Sequence, residues 1–159
     1  MLLISDLAFA LVAGLLGKYK LSIELTADEQ TINGSFWGDP EAGVVGNRVF
    51  VRGETPVHSL LHETCHIVCM TPERRHKLNG DAGGDDLEES AVCYLQIVLV
   101  DELAGAGKQR LMRDMDDWSY SFRLGSTQRW FDEDGEDAQL WLRTEGLLDT
   151  DHRLIFRLR

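Results

Sequence analysis

A chain of 159 residues, 43% apolar and 27% charged, can bury a core without disulfides and has the balance of a soluble globular protein. Its 16 basic and 27 acidic residues give a formal charge of −11, which speaks against the positive surface that nucleic acids and anionic membranes select. The three cysteines are odd in number, and Cys65 and Cys69 lie only four apart. That argues against a secreted disulfide framework and for reduced thiols, packed as small hydrophobes, in a cytoplasmic protein.

The size fits one domain spanning residues 1–159. At the N-terminus, no positive residue precedes the apolar run Leu7–Leu16, and Asp6 stands where a signal peptide would carry one. The run is also too short to cross a bilayer. It reads as a buried helix, with Ser5 or Asp6 near its N-cap and Gly17 at its end. "KLSIEL" alternates Leu21, Ile23 and Leu25 with polar residues, which predicts a strand. A short strand is expected around Thr31–Trp37, then a loop through Gly38-Asp39-Pro40. "NRVFVR" predicts another strand, ended by Gly53.

Thr55 followed by Pro56 is a helix start, and that helix is expected to run to about Met70, before Pro72. "ERRHKLNGDAGGDD" reads as a loop. "DLEESAVCYLQIVLVDELAG" predicts a second helix, capped by Asp85 or Asp86 and apolar nearly all round from Ala91 to Val100, hence central. Helical signals continue to Gly125. One helix or two short ones follow Ser126, and Gly146 ends the last. The tail "DHRLIFRLR" alternates, as a late strand or a docked arm would. The expected fold class is α+β, a small mixed or antiparallel sheet packed with helices.

The chemistry concentrates between His58 and Cys69, where three of the five histidines, a glutamate and two cysteines fall together. His62-Glu63-Thr64-Cys65-His66 is HExxH. Residues four apart share a helix face, so both imidazoles can reach one ion, and neutral imidazole binds zinc at about 2.0–2.1 Å. Glu63 projects beside that ion, where it can take a proton from an activated water. A catalytic zinc takes three protein ligands and keeps one position open. The third is sought in the first turn of the next helix, at Glu88 or Glu89. Acidic residues there also suit the helix dipole. Glu88 shares a face with Ala91, Val92 and Leu95, while Glu89 leans toward Cys93 and Gln96. Helical spacing favours Glu88.

His62-Glu63-Thr64-Cys65-His66, a loop, then Glu88-Glu89-Ser90-Ala91 resembles the gluzincin branch of the HExxH zincin metallopeptidases. The small size and element order resemble minimal gluzincins of the ImmA/IrrE type, over about residues 21–100. The resemblance implies a zincin-like core with HExxH on the active-site helix. It implies Zn²⁺ held by His62, His66 and Glu88, with Glu63 as general base. It also implies a sheet containing "SFWG" and "NRVFVR" whose edge receives an extended peptide. In that family Asp or Asn often follows the alanine, where this chain has Val92, so the partner of a ligand histidine is expected from elsewhere. Gly often precedes the second histidine, where this chain has Cys65.

Of the other candidates, His58 lies one turn before His62 and reads first as a residue of the first helical turn. Cys65 and Cys69 read as core, and His76 and His152 as solvated. Tyr120, Arg123 and Arg129 are possible oxyanion helpers that nothing in the sequence ranks. The expected function is a zinc-dependent peptidase acting on a protein or peptide, with no nucleic-acid or membrane partner. The alternatives are a zincin-fold metal-binding sensor or interaction module with little or no peptidase activity, and a metal-free helical protein with an accidental motif.

Overall fold

Seven helices surround a three-stranded mixed sheet in the computed structural model, which describes residues 1–159. In chain order these are α1 (Phe9–Lys18), β1 (Ser22–Leu25), β2 (Gly43–Val45), β3 (Arg48–Val51), α2 (Val57–Cys69), α3 (Pro72–His76), α4 (Asp86–Leu99), α5 (Lys108–Asp117), α6 (Thr127–Glu133) and α7 (Glu136–Thr144). The α+β expectation from the order of elements is met.

The strand order is β1-β3-β2. β1 runs parallel to β3 with Ile23 opposite Val49, and β2 runs antiparallel with Val44 opposite Val49. The central strand β3 buries Val49, Phe50 and Val51 in succession, because both of its faces are covered. Around it, 38 buried residues form one apolar cluster that includes the contacting faces of α2 and α4.

Two expectations about the sheet fail. Residues 31–37 form turns rather than a strand: Gly34 has φ +69°, and its carbonyl accepts from Val44 N at 3.0 Å. A Cβ on Gly34 would run into the Val44 backbone, so only glycine fits this approach. The strand that does form, β2, is three residues long and too short to show alternation. Its outer edge is already satisfied, since Gly80 N donates to Val44 O at 2.9 Å and Gly46 N to Leu78 O at 3.0 Å. The β2 edge is therefore taken by the chain itself, "NRVFVR" lies in the middle of the sheet, and β1 forms the other edge.

α1 buries Val12, Leu15 and Leu16 but leaves Phe9 and Leu11 exposed, so it is half-buried rather than buried. Its N-cap is Ala8, while Asp6 serves the preceding 3-10 turn by accepting from Leu3 N at 2.9 Å. No helix is long and apolar enough to cross a membrane. α2 starts at Val57, because Thr55 folds back and accepts from Arg52 N at 2.9 Å instead of capping the helix. The loop expected after α2 contains the short helix α3, capped by Thr71. Asp85 caps α4, accepting from Glu88 N at 2.8 Å. The C-terminal tail is a docked arm. Leu154 bridges Leu148, and Arg159 N reaches Val68 O at the end of α2.

Candidate metal centre

α2 buries twelve of its thirteen residues, and the exception is His62. The helix is therefore a central strut that opens to solvent at one ligand position. One turn on, the His66 Nε2 lies 3.1 Å from that of His62. The carboxylate of Glu89, from the first turn of α4, closes the group. Its Oε1 is 3.1 Å from His62 Nε2 and its Oε2 3.3 Å from His66 Nε2. The three side chains offer ligand atoms within 4.8 Å of one another.

Glu88, the residue favoured by helical spacing, is turned away. Both of its oxygens face Arg74 Nη1, at 2.9 and 2.8 Å, with Arg159 at 3.7 Å, in a pocket that leaves Glu88 5% exposed. A buried carboxylate already matched by two guanidinium groups has no need of an ion. The face of α4 that meets the motif is the stripe of Glu89, Cys93 and Gln96. Beyond the first turn both stripes are buried, so hydrophobic pattern alone could not tell them apart.

Gln96 supplies the second clue to that stripe. Its Oε1 accepts from His62 Nδ1 at 2.7 Å, while its Nε2 faces the Met115 sulfur at 3.1 Å. A carbonyl oxygen can only accept, so Nδ1 carries a proton, which leaves Nε2 as the atom of this ring for a ligand role. This is the histidine partner that the sequence could not locate. A single amide in an otherwise apolar run was the available signal.

Electrostatics agree with a cation site. Burial, then the neighbouring His62, holds His66 down to about 4, so its ring is neutral, as a ligand must be. Burial would raise the Glu89 carboxyl, but its hydrogen bond to His62 and the charge on that ring outweigh this and hold it low. Burial would lower His62, but Tyr120, Cys93 and Glu89 outweigh it and hold the ring raised, so an ion entering here displaces a proton from His62. Two imidazoles and one carboxylate form the nitrogen and oxygen donor set that suits zinc, with three protein ligands. These residues fit the ion that the motif implies.

Glu63 stands beside the group, 8% exposed, with its Oε2 buried and without a partner. Burial pushes its carboxyl up to about 7, with His62 opposing and Glu41 and Glu89 adding. Tyr120 packs edge-on against His62, with 5.6 Å between ring centres. Of the three oxyanion candidates it alone lines the cleft, since Arg123 pairs with Asp134 and Arg129 with Glu133. His58 lies outside the ligand group, 1% exposed against Trp118 and Tyr120. Cys65, Cys69 and Cys93 are free and buried in the core, and His76 and His152 are exposed.

Two hollows meet at the centre. One, of about 230 Å³, lies between the Phe36–Trp37 turn and the Gly80–Gly83 loop. The other, of about 370 Å³, lies between Glu41 and Trp118–Tyr120. His62, Glu63, Glu89 and Trp37 line both, so together they make one cleft across the candidate ligands. No protein family, curated protein sequence or solved structure matches the chain.

Proposed function

We propose that this protein is a zinc-dependent metallopeptidase, of minimal gluzincin character, that hydrolyses a peptide bond in a protein or peptide. One observation carries the reading: His62, His66 and Glu89 converge at the floor of an open cleft with the unpartnered Glu63 Oε2 beside them. A zinc ion held by those three ligands would supply Lewis acidity, polarising a carbonyl and making water acidic enough to lose a proton near neutral pH. Glu63 takes that proton at Oε2 and returns it to the leaving amine. Its Oε2 has no other hydrogen-bond partner, so the carboxylate is free for this exchange. Gln96 keeps His62 in the tautomer the ligand role requires. Tyr120 provides a hydroxyl donor to the developing oxyanion. The three free, buried thiols are consistent with a reducing compartment such as the cytoplasm.

The test is a pair of variants of the full chain. His62→Ala is expected to lose zinc from protein purified without added metal. Glu63→Gln is expected to keep zinc and lose hydrolysis of an unfolded protein substrate. Hydrolysis at the parent rate in Glu63→Gln would remove Glu63 from the mechanism.

A second reading, a metal-binding sensor or interaction module, is favoured by the covered edge of β2. With Val44 and Gly46 already bonded to the chain's own loops, the sheet offers a substrate no backbone pairing at these positions. Stoichiometric zinc with no turnover of any unfolded protein would select this reading.

A further inference from the structure

The two hollows beside the centre are lined by carboxylates and aromatics and by no lysine or arginine. Glu41 stands in one arm and Asp81 in the other, with Glu63 and Glu89 between them. The neighbouring Glu88, by contrast, has two arginines. Glu41, Glu63 and Asp81 have none. A dication at the ligand group would offset Glu63 and Glu89 in formal charge. Glu41 and Asp81 remain unmatched.

Glu41 is held in place rather than left mobile. Trp118 Nε1 donates to its Oε1 at 3.0 Å, and the Ser59 hydroxyl to its Oε2 at 3.2 Å. Both donors are neutral, so the negative charge is oriented but not cancelled. Two indoles stand at the same arm: Trp37, 74% exposed, and Trp118, 37% exposed. Large aromatics this open to water, next to a fixed carboxylate, form the environment that attracts ammonium and guanidinium groups through the ring face as well as by charge. The buried, unpartnered Oε2 of Glu63, more than nine-tenths enclosed and lining both arms, marks the same cleft as built for a ligand.

We infer, on the basis of the peptidase reading of this cleft, that it selects peptides presenting a cation close to the scissile bond, an ammonium or guanidinium seated between Glu41 and the indoles of Trp37 and Trp118. The covered edge of β2 strengthens this choice. With no strand pairing at Val44 and Gly46, side-chain chemistry must carry the recognition there.

The experiment measures binding, so it does not depend on turnover. The full-length chain carrying Glu63→Gln, with and without zinc, is titrated calorimetrically with alanine-rich octapeptides acetylated and amidated at their ends. They differ at one central position: lysine, norleucine or glutamate. A fourth carries norleucine and a free α-amine. The lysine peptide is expected to bind about tenfold more tightly than the blocked norleucine peptide, and the glutamate peptide most weakly. Adding Glu41→Gln, which removes the charge, keeps one acceptor for Trp118 and lets the Ser59 hydroxyl turn to accept from the new amide, is expected to bring the lysine preference close to one. A free-amine norleucine peptide that matches lysine supports cation recognition with the chain terminus as its source. Equal binding of lysine and norleucine, a preference that survives Glu41→Gln and Asp81→Asn together, or no saturation by any peptide at millimolar concentration overturns the inference. A retained lysine preference without hydrolysis by the parent chain sinks the peptidase reading alone. Hydrolysis without the preference sinks only this one.

Discussion

Replacing Gln96 by leucine isolates what one buried amide does for the candidate metal centre. Gln96 is fully buried, and its Oε1 lies 2.7 Å from His62 Nδ1. Without metal, the Gln96→Leu protein has an escape: the proton can move to Nε2, which faces Glu89 at 3.1 Å. With an ion on Nε2 that escape closes, and Nδ1–H is left in an apolar pocket with no acceptor. An unmet buried donor costs about 1–3 kcal/mol. Because the cost falls on the loaded state alone, it appears almost entirely in affinity, as a loss of about ten- to a hundredfold. The other arm of the amide faces the Met115 sulfur, a weak acceptor, so the fold itself should change little. The assay is competition for zinc against a chromophoric chelator, with far-UV circular dichroism and a urea midpoint as controls for folding. Gln96→Glu retains an acceptor and is expected to hold zinc as the parent does. A Gln96→Leu protein that is folded and binds zinc within about twofold of the parent would refute the tautomer reasoning.

Three further outcomes are expected. Glu89→Gln should abolish stoichiometric zinc while Glu88→Gln retains it and loses about 1–3 kcal/mol of stability, because a buried acceptor of Arg74 is weakened but Arg74 is partly solvated; metal analysis with urea melts reads both, and the reverse pattern would restore Glu88 as the ligand. Burial, opposed by Asp114, leaves His58 lowered from its ordinary value of 6.5 to about 4. The folded state then resists a proton that the unfolded chain accepts. The contribution is complete above pH 6.5 and is lost as pH falls through 4, a change of about 3 kcal/mol that His58→Phe should remove from the pH dependence of urea unfolding; an unchanged slope in that variant counts against it. Arg159→Ala should cost about 1 kcal/mol, since the side chain donates to Cys69 O at 3.2 Å and to Glu145 at 2.8 Å; an unaltered melting temperature would show the arm to be ornamental.

The sequence revealed elements wherever a long period or a terminal signal was available. α2 and α4 were legible because each combines an apolar run with capping or proline signals. The two-histidine half of the centre followed from helical spacing alone. β2 escaped because three residues, Gly43-Val44-Val45, carry no alternation, and α3 because five mostly charged residues look like a loop. Thr31–Trp37 was misread because apolar residues surround a Gly34 turn. The choice between Glu88 and Glu89 turned on two arginines. Arg74 comes from that unforeseen helix and Arg159 from the last position of the chain, and local spacing contains neither.

Arg74 does more than neutralise Glu88. From α3 its Nη2 also reaches the carbonyls of Ala82, at 3.0 Å, and Gly83, in the loop that walls one side of the cleft. One guanidinium thus ties together a short helix, the glycine-rich loop and the first turn of α4, which bears Glu89. Pieces tied through one side chain are expected to open together, and their amides should then exchange with solvent at a common rate. Departure of an ion from Glu89 would then be coupled to fraying of that loop. The residence time of a bound metal would depend on how often a surface segment opens, not on the strength of the ligand bonds alone.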